Sequence, residues 1–315
     1  MKKILFVCLG RNSRLPAADG MMKAMKRGWM ALLVLLVQVR LPAQEWRLVW
    51  SDEFNGSGRP DPATWNYEEG FVRNHEAQWY QAGNAFLQDG LLVIEARKEQ
   101  RPNPTYQPGG AYWGQQRPGI DYTSACLHTR GKREFLYGRL EVCARIPTAG
   151  GAWPAIWTLG SRMQWPSCGE IDVMEYYRIQ GVPHILANAA WGNDRPYQAV
   201  WNSKKIPFAH FTSRDEGWAL QFHVWRMDWD ETSISLYLDD ELLNKIPMSL
   251  TVNGRIGQHI NPFTRKQYIL LNLALGGDNG GEIDDQAFPM RYEIDYVRIY
   301  ERSGQALPGV NGASQ

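Results

Sequence analysis

Hydrophobic and polar residues alternate along this chain in short runs. EWRLVW, GLLVIEAR, SACLHTR, GRLEVCARI, AIWTLG, ILANAAW, FHVWRMDWD, SISLYLDD, QYILLNLAL and YEIDYVRIY fall between Glu45 and Arg302 and mix β-branched and aromatic residues. Period-two alternation sends successive side chains to opposite faces, the mark of a strand with one buried side. Turn-forming clusters such as FNGSGRPDP and GGDNGGEIDD separate the runs. No long segment has a helical period, and no repeat is visible. The pattern predicts an all-β sandwich. The small, polar stretch 303–315 is expected to be disordered.

One run breaks the alternation. CGEIDVMEYY, from Cys168 to Tyr177, carries Glu170, Asp172 and Glu175 among Ile171, Val173 and Met174. In a regular strand Glu170 and Asp172 share one face, with Ile171 and Val173 on the other. Glu175 then falls on the apolar side. One extra residue, a β-bulge at Val173–Met174, returns it to the face of the other two acids, and bulges re-aim side chains beside active sites. The glutamates lie ~13 Å apart along such a strand. Their side chains can lean toward the ~5–5.5 Å gap of a retaining glycosidase pair. The Asp between them raises a neighbour's pKa by like-charge repulsion and keeps one acid protonated near neutrality.

Composition narrows the substrate. The 34 basic and 33 acidic residues nearly cancel. That balance gives no pull toward nucleic acid or an anionic membrane. The chain has 14 Trp and 14 Tyr. Some must fill the core, and others can offer the flat, amphipathic faces that bind sugars. Cys8, Cys126, Cys143 and Cys168 contain no C-x-x-C pair, which argues against zinc. Cys126 and Cys143 flank an expected hairpin; a bridge between them and two packed thiols are both open readings.

The start of the chain follows a different logic. MKKILFVCLGRNSRLPAADG resembles the opening of a low-molecular-weight protein tyrosine phosphatase, with Cys8 and Arg14 at C-x5-R spacing. The resemblance ends after these residues. Lys23, Lys26 and Arg27 then precede the apolar run Ala31–Val39, with Ala43 as a cleavage point. This is the pattern of a secretory signal peptide over 21–43, too short for a comfortable membrane span. Residues 1–20 are therefore read as a start-site artefact, with translation beginning at Met21 or Met22. The mature protein is expected to be secreted, periplasmic or extracellular, and monomeric, with a catalytic domain over 44–302.

The E-x-D-x-x-E run resembles the signature of glycoside hydrolase family 16 in its bulged, laminarinase-like form. LVWSDEFNG, HEAQWYQAGNAFLQDGLLVIEARKE, YTSACLHTRGKREFLYGRLEVCARIP, GAWPAIWTLG, LYLDDELLN, YILLNLALGG and YEIDYVRIY resemble its successive strands. The resemblance implies a β-jelly-roll of two curved antiparallel sheets with an open concave cleft. It implies a retaining endo-β-glycanase on polysaccharide, with no organic cofactor. Glu170 matches the nucleophile, Glu175 the acid/base and Asp172 the assisting carboxylate. Trp153 and Trp157 match aromatic positions of the cleft, core packing staying open for Trp157. Asn74, Glu76, Trp79 and Asn84 match its donor side, and Arg97 a polar support. Glu53, the Gly90 carbonyl and Asp295 match a structural calcium site, where oxygen ligands are expected. Where relatives carry a His in the strand after the acids, this chain has HILANAAWGND, with His184 before the strand, Asn188 in its middle and Trp191 at its end. That change leaves β-1,3-glucan, mixed-linkage glucan, galactan and mucin-type poly-lactosamine as substrates. The rival of another class is a non-catalytic glucan-recognition protein, which lacks one or both glutamates.

Overall fold

The alternating runs become strands whose apolar faces meet between two sheets. The computed structural model describes residues 46–302. The expectations for the leader, the signal peptide and the tail fall outside the described residues. One sheet has ten strands and the other eight. Across the larger sheet run Glu241–Pro247, Ser233–Leu238, His223–Trp229, Gly138–Arg145, Met290–Arg302, Leu91–Pro102, Gly119–Ser124 and Gln78–Tyr80. Across the smaller run Ala199–Pro207, Val182–Gly192, Glu170–Ile179, Ala152–Gly160, Gln267–Leu275, Cys126–His128 and Asn66–Tyr67. Among the described residues all strand pairings but one are antiparallel. The correction to the expected all-antiparallel sheets is Gln78–Tyr80, which lies parallel to Gly119–Ser124.

The core is built by alternation. Leu140, Val142 and Ala144 point inward from the larger sheet, as do Trp225, Met227 and Trp229 beside them. Ile269, Leu271, Leu273 and Leu275 meet them from the smaller sheet. Burying each such side chain stabilises the fold by roughly 1.5–3 kcal/mol. Among the described residues the α-helices are the single turns Ala209–Thr212 and Gly277–Gly280. No helix there is long and apolar enough to cross a membrane.

The sandwich also decides the cysteines. Cys126 lies in the smaller sheet and Cys143 in the larger, so they do not share a hairpin. Cys126, Cys143 and Cys168 are all free thiols. Burial pushes the Cys143 and Cys168 thiols up to about 12.

Candidate active site

The outer face of the smaller sheet carries the acids. Strand Glu170–Ile179 pairs with Ala152–Gly160 on one side and Val182–Gly192 on the other, and both ladders slip between Asp172 and Glu175. Val173 and Met174 both enter the core. Glu175 thereby returns to the face of Glu170 and Asp172, as the sequence pattern predicts. Opposite Asp172 lie Trp157 and Asn188, and opposite Glu175 lie Ala155 and Leu186.

Each glutamate is tied by an indole. Trp153 Nε1 donates to Glu175 Oε1 at 3.0 Å, and Trp165 Nε1 donates to Glu170 Oε2 at 2.8 Å. Asn188 Nδ2 donates to Glu175 Oε2 at 3.0 Å and to Asp172 Oδ2 at 3.3 Å. The three carboxyls interact strongly and titrate together. Burial, followed by the Glu175 charge, pushes Glu170 up to about 7. Burial raises Glu175, against the hydrogen bonds from Trp153 and Asn188. Asp172 is pushed furthest, by burial and then by the charges of Glu175 and Glu170.

Such a pair on one face of one strand, flanked by indoles, is the arrangement of a carbohydrate-cleaving centre. The model of "Glycosyl hydrolases family 16" matches residues 71–298. The chain belongs to this family. It is 36% identical over 276 residues to a "Beta-glucanase" of Rhodothermus marinus, covering 82% of this chain and 86% of the relative. A structure from work on endo-acting O-glycanases that human gut microbiota express to initiate mucin breakdown superposes with a TM-score of 0.72. It is 34% identical and covers 84% of this chain and 93% of the other. The catalytic domain of an endo-1,3-β-glucanase (laminarinase) from Thermotoga petrophila gives 0.66 at 32% identity, over 83% of this chain and all (100%) of the other. The two-sheet sandwich is the family 16 jelly roll.

The remaining cleft floor of this family 16 domain is aromatic and polar. Trp157 belongs to a patch with Tyr80, Cys126, Ala155, Tyr268 and Leu270 on the outer face, not to the inter-sheet core. Its Nε1 donates to Asn272 Oδ1 at 2.7 Å, and Asn272 Nδ2 donates to the Tyr80 hydroxyl at 3.0 Å. The Arg73 guanidinium stacks 5.1 Å above the Trp157 ring and pairs with Glu68. Glu76 is buried, receives Gln78 Nε2 at 2.7 Å, and is raised by that burial. Asn74 is exposed, with its Nδ2 3.3 Å from Glu76 Oε1.

Five expected positions are placed elsewhere. Trp191 turns into the inter-sheet core with Ala187 and Ala189, because it lies three residues from Asn188 and so on the opposite face. Asn84 is fully buried and spends its amide on the Glu95 carbonyl and Thr123 Oγ1, a structural duty. Trp79 packs edge-on against Phe71 in a separate cluster with Ile120. Arg97 binds Glu95 on the larger sheet, away from the acids. His184 lies inside its strand, opposite Tyr177, rather than before it.

The calcium set does not fit a cation as placed. Glu53 gives both oxygens to Arg298, at 2.9 and 2.7 Å. Asp295 sits at a second bulge, in range of the Glu53 charge and of the Cys143 thiol. Among the described residues no group of three His, Cys, Asp or Glu side chains is placed to hold a metal ion. A guanidinium already supplies the positive charge there.

Two contacts lay beyond the sequence reading. Trp165 stands in the irregular segment SRMQWPSC, which carries no period to place it. Asn188 was visible as a departure, but its bridging of Asp172 and Glu175 needed the strand register.

Proposed function

We propose that this chain is a secreted, retaining endo-β-glycanase in which Glu170 is the nucleophile, Glu175 the acid/base and Asp172 the partner of Glu170. The observation that carries this reading is the bulge. It sets Glu170 and Glu175 on one cleft face, each held by an indole N–H.

The first displacement requires Glu170 ionised and Glu175 protonated. Asp172 directs its proton toward Glu170 and steadies that anion. Glu170 forms an ester bond to the anomeric carbon as the glycosidic bond breaks. Glu175 gives its proton to the departing sugar oxygen. Glu175 then takes a proton from water, the water oxygen bonds to the same carbon, and Glu170 is released.

Resemblance to the Rhodothermus β-glucanase and the Thermotoga laminarinase supports a β-1,3- or mixed-linkage β-1,3-1,4-glucan as substrate. A second reading, an endo-β-galactosidase on galactan or mucin-type poly-lactosamine, is favoured by the higher TM-score to the O-glycanase structure. Asn188, where laminarinase-like enzymes carry His, supports the same reading. All three acids are kept, which argues against a non-catalytic recognition protein.

A product profile on laminarin, mixed-linkage glucan, galactan and poly-lactosamine tests the assignment. Short oligosaccharides from either glucan are expected. Cleavage of poly-lactosamine alone selects the second reading, and binding without cleavage of any polymer selects the recognition protein. Export is tested by sequencing the secreted protein, which is expected to begin near Gln44; a start at Lys2 or Lys3 would contradict it.

A further inference from the structure

The acids belong to a cross-strand row that ends on an open indole. Glu170 lies opposite Ala190, and Ala190 lies opposite Trp201 on the outermost strand, Ala199–Pro207. Opposed residues of an antiparallel ladder point to the same face, so Trp201 shares the cleft face with Glu170. The alternate residues of that strand confirm its orientation. Ile206 packs against the inter-sheet core, and Asn202 Oδ1 accepts from Asn244 Nδ2 of the larger sheet at 3.1 Å.

Trp201 is 47% exposed although it sits in a strand. The indoles nearer the acids are engaged: Trp153 holds Glu175, Trp165 holds Glu170, and Trp157 lies beneath Arg73. Between Trp201 and the acid strand stands only the small side chain of Ala190, leaving a shelf rather than a wall. Two inter-strand spacings separate Trp201 from Glu170, ~10 Å. A sugar over its ring is therefore not the one being cleaved. Ser203 and Lys205 follow on the same face and offer hydroxyl and ammonium donors beside the ring.

We propose that Trp201 is the platform of a remote binding subsite on the outer-strand side of the cleft, stacking on the apolar face of a pyranose of the β-linked chain. This rests on the endo-glycanase reading and adds to it a specificity-determining residue. An endo-acting enzyme needs grip beyond the cleaved bond, and an exposed ring continuous with the acid row supplies it at small entropic cost.

The test compares wild type, Trp201→Ala and Trp201→Phe on the preferred polysaccharide and on a chromogenic glycoside too short to span from Glu170 to Trp201. Trp201→Ala is expected to raise KM on the polymer roughly tenfold, with kcat within about twofold and the short substrate unaffected. Trp201→Phe should keep most of the affinity. Equal losses on both substrates, or an unchanged polymer KM, would overturn the proposal. A dimer seen by light scattering in wild type and lost in Trp201→Ala, with KM unchanged, would instead assign the ring to a contact between copies. Titration of a long β-linked oligosaccharide onto Glu170→Gln, with and without Trp201→Ala, separates the two ideas. Weaker binding in the double variant supports the subsite even where turnover fails, and equal binding rejects it.

Discussion

Trp153 donates its indole N–H to Glu175 Oε1 at 3.0 Å while its ring packs edge-on against Tyr177, 5.6 Å away. That bond favours the ionised form of Glu175 and so opposes the burial that raises it. Trp165 acts the same way on Glu170.

Opposite limbs of the pH profile should therefore move. Trp153→Phe removes the donor, and the Glu175 pKa rises. Glu175 must be protonated to act first as an acid, so the alkaline limb of kcat/KM is expected to shift to higher pH. Trp165→Phe raises Glu170, which must be ionised, so the acid limb is expected to shift to higher pH. Each loss of a fixed donor should also reduce kcat/KM about tenfold. Profiles on one soluble substrate check this; both variants moving the same limb would contradict the assignment.

Replacing the acids separates their roles. Glu170→Ala and Glu175→Ala should each lose orders of magnitude in turnover on polysaccharide while remaining folded. On a glycoside with an activated leaving group Glu175→Ala should recover part of its activity, because no proton is needed for departure. Glu170→Ala should not. Circular dichroism alongside the kinetics excludes simple unfolding.

Stability should carry the same signature. Glu170 has its folded pKa raised from 4.5 to about 7. A raised carboxyl contributes stability below its unfolded pKa and loses it as pH rises through the folded value. Glu170→Gln is thus expected to melt at the same temperature as wild type near pH 4. It should gain a lead between about pH 4.5 and 7 and hold that lead above. Thermal unfolding across that range checks it.

Asn188 offers a sharper perturbation. Its amide bridges Glu175 and Asp172. Asn188→Asp puts a fourth carboxyl into a site with three, so the pKa values of the group should rise further and the optimum should move to higher pH. Asn188→Ala, which adds no charge, should lower kcat without that alkaline displacement.

Much of this was legible because period-two alternation is strong wherever one face is buried. The run from Glu170 to Glu175 shows its bulge in the sequence itself, since two acids fit one face and the third needs an extra residue. The strand Val182–Gly192 was harder: ILANAAW is almost wholly apolar and marks no face. Asn188, opposite Asp172, fixes the parity and sends Trp191 to the core. Trp201, read past in the sequence, is the indole that the next strand turns to the cleft. Cys126 and Cys143 misled because local pattern does not report when the chain crosses from one sheet to the other. Trp165 could not be found at all, since an irregular loop delivers it.

Retention of configuration is the central claim. Glutamates on one face of one bulged strand reach the ~5–5.5 Å separation of a retaining pair more readily than the ~6.5–9.5 Å that admits an inverting water. Proton NMR of the reaction, recorded within minutes of mixing enzyme and polysaccharide, reads the first-formed reducing end. The β-anomer should appear first and mutarotate later. An α-anomer appearing first would contradict Glu170 as the nucleophile.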